Sequence, residues 1–198
     1  MFKQKIWEYF TQIIIVIFGV FLGLLLNEWN SGRKDRNRQK VILSHIIKEL
    51  KSHKNQLNRV IPYHGSMTQT ADSILSKSTE EELTKPFIWN GAWSKIPKWQ
   101  GLQLFPLRTP TYESAKFSEV LSGMDSELLE SITGYYESVH TYNSFCNGLT
   151  QQVFQINSKT EYVDALLLIM IIKGDILGTE KGINAASDSL IQIIERKL

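Results

Sequence analysis

Ile13 to Leu26 reads IIIVIFGVFLGLLL, fourteen residues without one polar side chain, and Arg33, Lys34, Arg36, Arg38 and Lys40 follow within fourteen residues of its end. With the mixed lead-in Ile6 to Gln12 the stretch grows to twenty-one residues. As a helix it would be roughly 31 Å long at 1.5 Å rise per residue, the thickness of a bilayer's hydrocarbon core. Trp7 and Tyr9 stand at one end and Trp29 at the other, where aromatic belts sit. The run closes on Asn27-Glu28-Trp29-Asn30 with no small-x-small cleavage site, so the pattern predicts a retained anchor rather than a cleaved signal peptide. The expected architecture is a single N-terminal transmembrane helix carrying a water-soluble part.

Outward from this stretch, charge is distributed unevenly. Residues 33–61 hold nine Lys/Arg against Asp35 and Glu49, and residues 62–198 hold eleven against sixteen acids, so net charges of +7 and −5 lie side by side. Anionic headgroups attract Lys and Arg by about 1 kcal/mol each. The basic cluster Arg33, Lys34, Arg36, Arg38 and Lys40 is therefore read as a membrane-surface contact and not as a nucleic-acid patch. The positive-inside rule then favours a cytoplasmic soluble domain. Cys146 is the only cysteine, which excludes a disulfide within the chain and leaves no cysteine pair for a structural metal. Neither a metal nor a cofactor is expected.

Gly19 and Gly23 lie four apart on one face of the membrane helix, a spacing that lets a second backbone approach closely. Gln12, an amide at the membrane edge, could bond across the same contact. From Asp35 to about Ser76 the apolar positions Leu43, Ile46, Ile47, Leu50, Leu57, Val60/Ile61, His64, Met67, Ala71 and Ile74/Leu75 recur at three- and four-residue steps, one helical stripe. No proline intervenes before Pro62, so the membrane helix should run into this one. Pro62 and Gly65 should kink or split it. The stripe is either the core face of an antiparallel bundle or a coiled-coil stalk; His53 in its gap argues against a strict heptad seam.

Ser78-Thr79-Glu80-Glu81-Glu82 has capping-box spacing and predicts a short helix ending by Pro86. Residues 86–110 carry four of the five prolines together with Trp89, Trp93 and Trp99, a composition that forbids a long helix. An ordered loop is expected there. Its tryptophans would cover the end of the core, dock on the membrane surface, or line a ligand pocket with Thr111 and Tyr112. An amphipathic segment opens at Thr111 and breaks at Gly123. Asp125 is a natural N-cap for a long helix from about Ser126 to Ile156. Ala165 to Ile172, ALLLIMII, should be a central buried helix or, less simply, a strand. Gly174, Gly178 and Gly182 should bracket a loop, with a C-terminal helix from about Asn184.

The expected fold is thus all-α: transmembrane anchor 1–30, basic juxtamembrane helix 31–76, and a helical-bundle soluble domain 77–198 interrupted by the Trp/Pro-rich loop 86–110. No phosphate-binding glycine loop, nucleophile elbow or H-E-x-x-H occurs, and His45, His53, His64 and His140 are not spaced as ligands on one helix. Cys146 reads as a small buried apolar residue.

Two stretches carry a resemblance. QIIIVIFGVFLGLLLNEWNSGRKDR, Gln12 to Arg36, resembles the N-terminus of a bacterial membrane-protein family of unknown function, domain-of-unknown-function number 6090. Gln12, where members often carry Glu, Gly19, Asn27, Trp29 and Asn30 take the places of its pattern. TYESAKFSEVLSGMDSELLESITGYY, Thr111 to Tyr136, resembles a second segment of that family through Thr111, Tyr112, Ser122, Gly123, Leu128, Tyr135 and Tyr136. Together they cover about a quarter of the chain. The resemblance implies the same layout, in a bacterial inner membrane, and no assigned activity.

Three functions are compatible with these features. The first is a non-enzymatic, membrane-anchored interaction module that forms a homo-oligomer or joins a membrane-protein partner. The second is a single-pass sensor whose soluble domain binds a ligand near Trp89, Trp93, Trp99, Thr111 and Tyr112. The third and weakest is an enzyme using Glu113 or the histidines as acid and base.

Overall fold

The computed structural model describes residues 2–87, 99–118 and 120–198, with side chains from Ile14 onward. The fold is all-α, a helical bundle with no strand among the described residues. Its first helix, α1, is one element of 76 residues, Phe2–Lys77, about 114 Å long at 1.5 Å per residue. Nothing in the described chain covers its apolar run. The large apolar side chains between Ile14 and Leu26 are each 42–65% exposed. Fully burying one such side chain is worth about 1.5–3 kcal/mol, so eleven of them left in water cost on the order of 15 kcal/mol. Among the described residues this is the one helix long and apolar enough to cross a membrane.

Farther along, the same helix becomes the centre of the bundle. Leu43, Ile46, Ile47, Leu50, Leu57, Val60, Met67 and Ala71 are buried, with His64 among them, so the stripe is a core face. From Leu43 onward α1 belongs to the domain it carries. The helix is not split at Pro62, which removes one backbone donor but stands inside α1. Buried Leu57 and Val60 before it and His64 and Met67 after it are fixed in one core, which holds both halves in line.

A four-residue helix, α2 (Glu80–Leu83), follows, with Thr79 and Glu82 closing the expected capping box. After the segment 99–109 come α3 (Pro110–Phe117), a 3-10 turn (Val120–Gly123) and α4 (Ser126–Phe154). Asp125 caps α4 as expected, its Oδ1 accepting Leu128 N–H at 3.2 Å. The chain then returns through α5 (Tyr162–Ile171), a π-helical turn (Ile172–Ile176) and α6 (Leu177–Lys197).

Two expectations for this last part are corrected. No loop separates Gly174 from Gly182, because α5, the π turn and α6 form one uninterrupted helical run. Buried Ile169, Ile172, Ile176, Glu180, Ile183 and Ser187 face the core at three- and four-residue steps, and this packing overrides the weak helix propensity of glycine. The ALLLIMII segment is a helix but is covered on one side only: Leu167 is 51% and Ile171 36% exposed.

The α5–α6 run lies antiparallel to α1 along its length. Lys40 donates to the Leu198 carbonyl, Lys51 pairs with Glu195 (3.7 Å), Lys54 pairs with Asp188, Asn58 accepts from Asn184, and Lys173 pairs with Asp72 (2.6 Å). Helix α4 runs parallel to α1 and antiparallel to α6, since His53 meets Tyr135 while Tyr135 meets Ser187 and Tyr142 meets Glu180. The domain begins close to the apolar run. The 3-10 turn stands against Asp35, Arg38 and Gln39, about 14 Å along α1 from Leu26.

Candidate functional site

Residues 99–109 cross the bundle as an irregular strap, and its backbone polar groups need partners that no helix or sheet supplies. Side chains of α1 and α4 supply them. Tyr63 donates to Gly101 O (2.6 Å) and accepts Gln100 N–H (3.1 Å). His64 Nε2 donates to Leu102 O and His53 Nε2 to Arg108 O, each at 2.8 Å. Gln56 donates to Phe105 O (3.0 Å), and Asn143 bonds both the N–H (2.8 Å) and the C=O (2.9 Å) of Leu107, as a neighbouring strand would. Just beyond, Glu49 Oε2 accepts Thr111 N–H at 2.8 Å. The flanking Thr109 gives α3 no side-chain cap, so a carboxylate from α1 serves the exposed donors and positive dipole of its N-terminus.

Behind each histidine lies a buried polar partner. His53 Nδ1 is 2.9 Å from the Tyr135 hydroxyl, which is 3.1 Å from Ser187 Oγ, and Ser187 donates to Ile183 O (2.8 Å). Since Arg108 O can only accept, Nε2 carries a hydrogen and neutral Nδ1 accepts from Tyr135. Burial holds the His53 pKa below the ordinary value, against the opposing pull of the Arg108 carbonyl and Glu49. Burial likewise pushes the Tyr135 hydroxyl up to about 12, and burial with the Glu49 contact pushes Tyr136 up further. Both tyrosines are hydrogen-bonding alcohols and not proton sources near neutrality.

His64 is placed differently. Its Nε2 faces the Leu102 carbonyl and its Nδ1 lies 3.0 Å from the Glu180 carboxylate, both side chains fully buried. Acceptors stand on both sides of the ring, so the pair must hold one proton between Nδ1 and Glu180. Tyr142 donates to the same carboxylate at 3.2 Å. Glu49 closes the set by accepting the Tyr136 hydroxyl at 2.6 Å, and the Tyr136 ring stacks on Tyr112 at 4.0 Å.

Two clefts open along the strap and share Gln56, Pro106 and Arg108. One, of about 560 Å³, lies between α1 and the strap. The other, of about 510 Å³, lies beside His45, Lys48 and Thr111.

Of the ligand site expected from sequence, Trp99, Thr111 and Tyr112 lie among the described residues. Trp89 and Trp93 lie outside the described residues. Trp99 is half-buried against the core edge. Thr111 lines the second cleft, and Tyr112, 7% exposed, is held in the core by its stacked partner. In the apolar run, a side chain placed at Gly19 or Gly23 would meet nothing within 4 Å. The side chain of Gln12 lies outside the described set. Arg33, Lys34, Arg36, Arg38 and Lys40 are all exposed, with Arg38 near Asp35 (3.8 Å), Arg36 turned back to Gly32 O, and Lys40 joined to the C-terminal residue. Glu113 meets exposed His140 at 3.8 Å. Cys146 is buried, and that burial pushes its thiol up to about 11. Sequence reasoning missed Glu49, His53, His64, Asn143 and Glu180 as a connected set. The available signal was a polar residue at a core position of an apolar stripe, His64 in α1 and Glu180 in α6.

Compared with known proteins, the chain matches no family model, no curated protein and no solved structure.

Proposed function

We propose that the chain is a single-pass membrane protein that works by association: its apolar helix inserts in a bilayer and pairs with a second copy or with a partner's membrane helix, holding the helical domain at the surface. The observation that carries this reading is the uncovered run Ile14–Leu26, continuous through α1 with the domain core. Water penalises that surface, while lipid accepts it at no cost. Within lipid, the open face at Gly19 and Gly23 lets a second backbone approach. Arg33, Lys34, Arg36 and Arg38 then lie where anionic headgroups would meet them, and their excess over the N-terminal side favours a cytoplasmic domain. On this reading the membrane is a bacterial inner membrane, as the resemblance noted above implies.

The test is the mass of the full-length protein in nanodiscs, beside a Gly19→Ile/Gly23→Ile variant. A defined oligomer that the variant loses supports the reading. A monomer in both, with no retained partner, removes it. A sensor is the second reading, favoured by the strap pinned to the helix that enters the membrane.

A further inference from the structure

The cleft between α1 and the strap differs from an ordinary surface groove in three respects. Its charge is of one sign: Arg59 and Arg108 line it, no acidic side chain does, and neither arginine has an ion-pair partner among the described residues. Its walls are fixed in advance. His64 pins Leu102 O and His53 pins Arg108 O, so the strap is tied on both sides of the opening by buried rings that are themselves anchored. Finally, its rim is strained, because Gln103, a non-glycine residue, adopts a left-handed φ of 51°. Such backbone persists where surrounding contacts impose it and is concentrated at binding sites. Here Gln103 is held by its own side chain, which donates to Gln100 O at 2.6 Å. Phe105, 48% exposed, gives the cleft an apolar face beside Val60 and Pro106, and Gln56, Tyr63, Gln100 and Gln103 complete the lining.

We propose that this cleft binds a small organic anion, its carboxylate or phosphate held by Arg59 and Arg108 and its apolar body packed on Phe105. A guanidinium presents paired N–H donors in a fork that matches either oxyanion. Prefixed walls reduce the ordering cost of binding. The ligand comes from the aqueous phase, because Arg59 stands about 50 Å along α1 from Leu26, beyond the reach of a headgroup. The site deepens the sensor reading: an occupant bridging Arg59 of α1 and Arg108 of the strap would stiffen their junction. It does not depend on helix pairing in the membrane.

The experiment is calorimetric titration of the full-length chain in zwitterionic nanodiscs with phenyl phosphate, benzoate and the neutral isostere benzamide. Saturable binding of at least one anion is expected, weakened ten- to a hundredfold in Arg59→Gln and in Arg108→Gln, the span of one charge-assisted contact. Both arginines are exposed, and unchanged helical content of the variants would show that the fold is retained. Absence of saturable binding by both anions overturns the proposal. So does equal affinity of the variants, or benzamide binding as tightly as the anions. Because the nanodisc mass is measured separately, a failure here and a failure of membrane association are told apart.

Discussion

Acidification should weaken this domain through His53, and His53→Gln should remove that sensitivity. The imidazole is 3% exposed and sits between Arg108 O and the Tyr135 hydroxyl. Protonation at Nδ1 would reverse the Tyr135 bond, with Tyr135 then donating to Ser187, a geometry the 3.1 Å contact allows. The cost therefore lies in placing a cation among Tyr135, Tyr136 and Ser187. The Arg108 carbonyl and Glu49 oppose that cost. The folded-state pKa lies below the ordinary 6.5, chiefly through burial. The unfolded chain then binds the proton first, so this contribution is whole above about pH 6.5 and is lost as pH falls toward the folded value. The slope is at most about 1.4 kcal/mol per pH unit, which sets an upper limit of about 2 kcal/mol between pH 6.5 and 5. Glutamine can still donate to Arg108 O and accept from Tyr135 without titrating. The assay is urea denaturation of the full chain in mild detergent, followed by tryptophan fluorescence at pH 7.5 and 5. The stability gap between wild type and His53→Gln should shrink by as much as about 2 kcal/mol on acidification. A gap that stays constant, or widens, refutes the assignment of a neutral buried imidazole.

The other polar anchors lead to further expectations. Glu49→Ala removes the carboxylate that accepts from both Thr111 and Tyr136; at about 1.5–3 kcal/mol per bond to a charged group, partly offset by relief of desolvation, the loss should be about 3 kcal/mol, with faster amide exchange in the first turn of α3. Glu180→Leu alone strands a fully buried His64 and should cost about 3–5 kcal/mol. The double variant His64→Leu/Glu180→Leu should recover part of that loss, and a double variant less stable than the single would show that the pair is not the source. Asn143→Leu leaves both backbone groups of Leu107 without their partner; a loss of about 2–3 kcal/mol and proteolytic cutting within residues 99–109 are expected, measured by denaturation and limited proteolysis.

Much of the architecture was legible because its causes are local. The run Ile13–Leu26 declares itself by composition, the α1 stripe by its 3.6-residue period, and the caps Thr79/Glu82 and Asp125 by spacings of three residues. Where local and tertiary preferences conflict, the local reading failed: Gly174, Gly178 and Gly182 punctuate the sequence, yet buried neighbours carry the helix through them. The polar anchors were beyond a sequence reading for a different reason. Glu49 meets Thr111 and Tyr136, His53 meets Arg108 and Tyr135, and His64 meets Glu180, contacts 55 to 116 residues apart that follow no period. A histidine in an apolar stripe shows only that some partner must exist. The sequence by itself determined that one apolar helix leads into an all-α domain, since hydrophobic periodicity and caps act within a few residues. The tertiary structure alone decided that the strap is pinned by two buried histidines with an arginine-lined cleft between them, since desolvated polar groups take their partners from whatever the packing brings within hydrogen-bond reach.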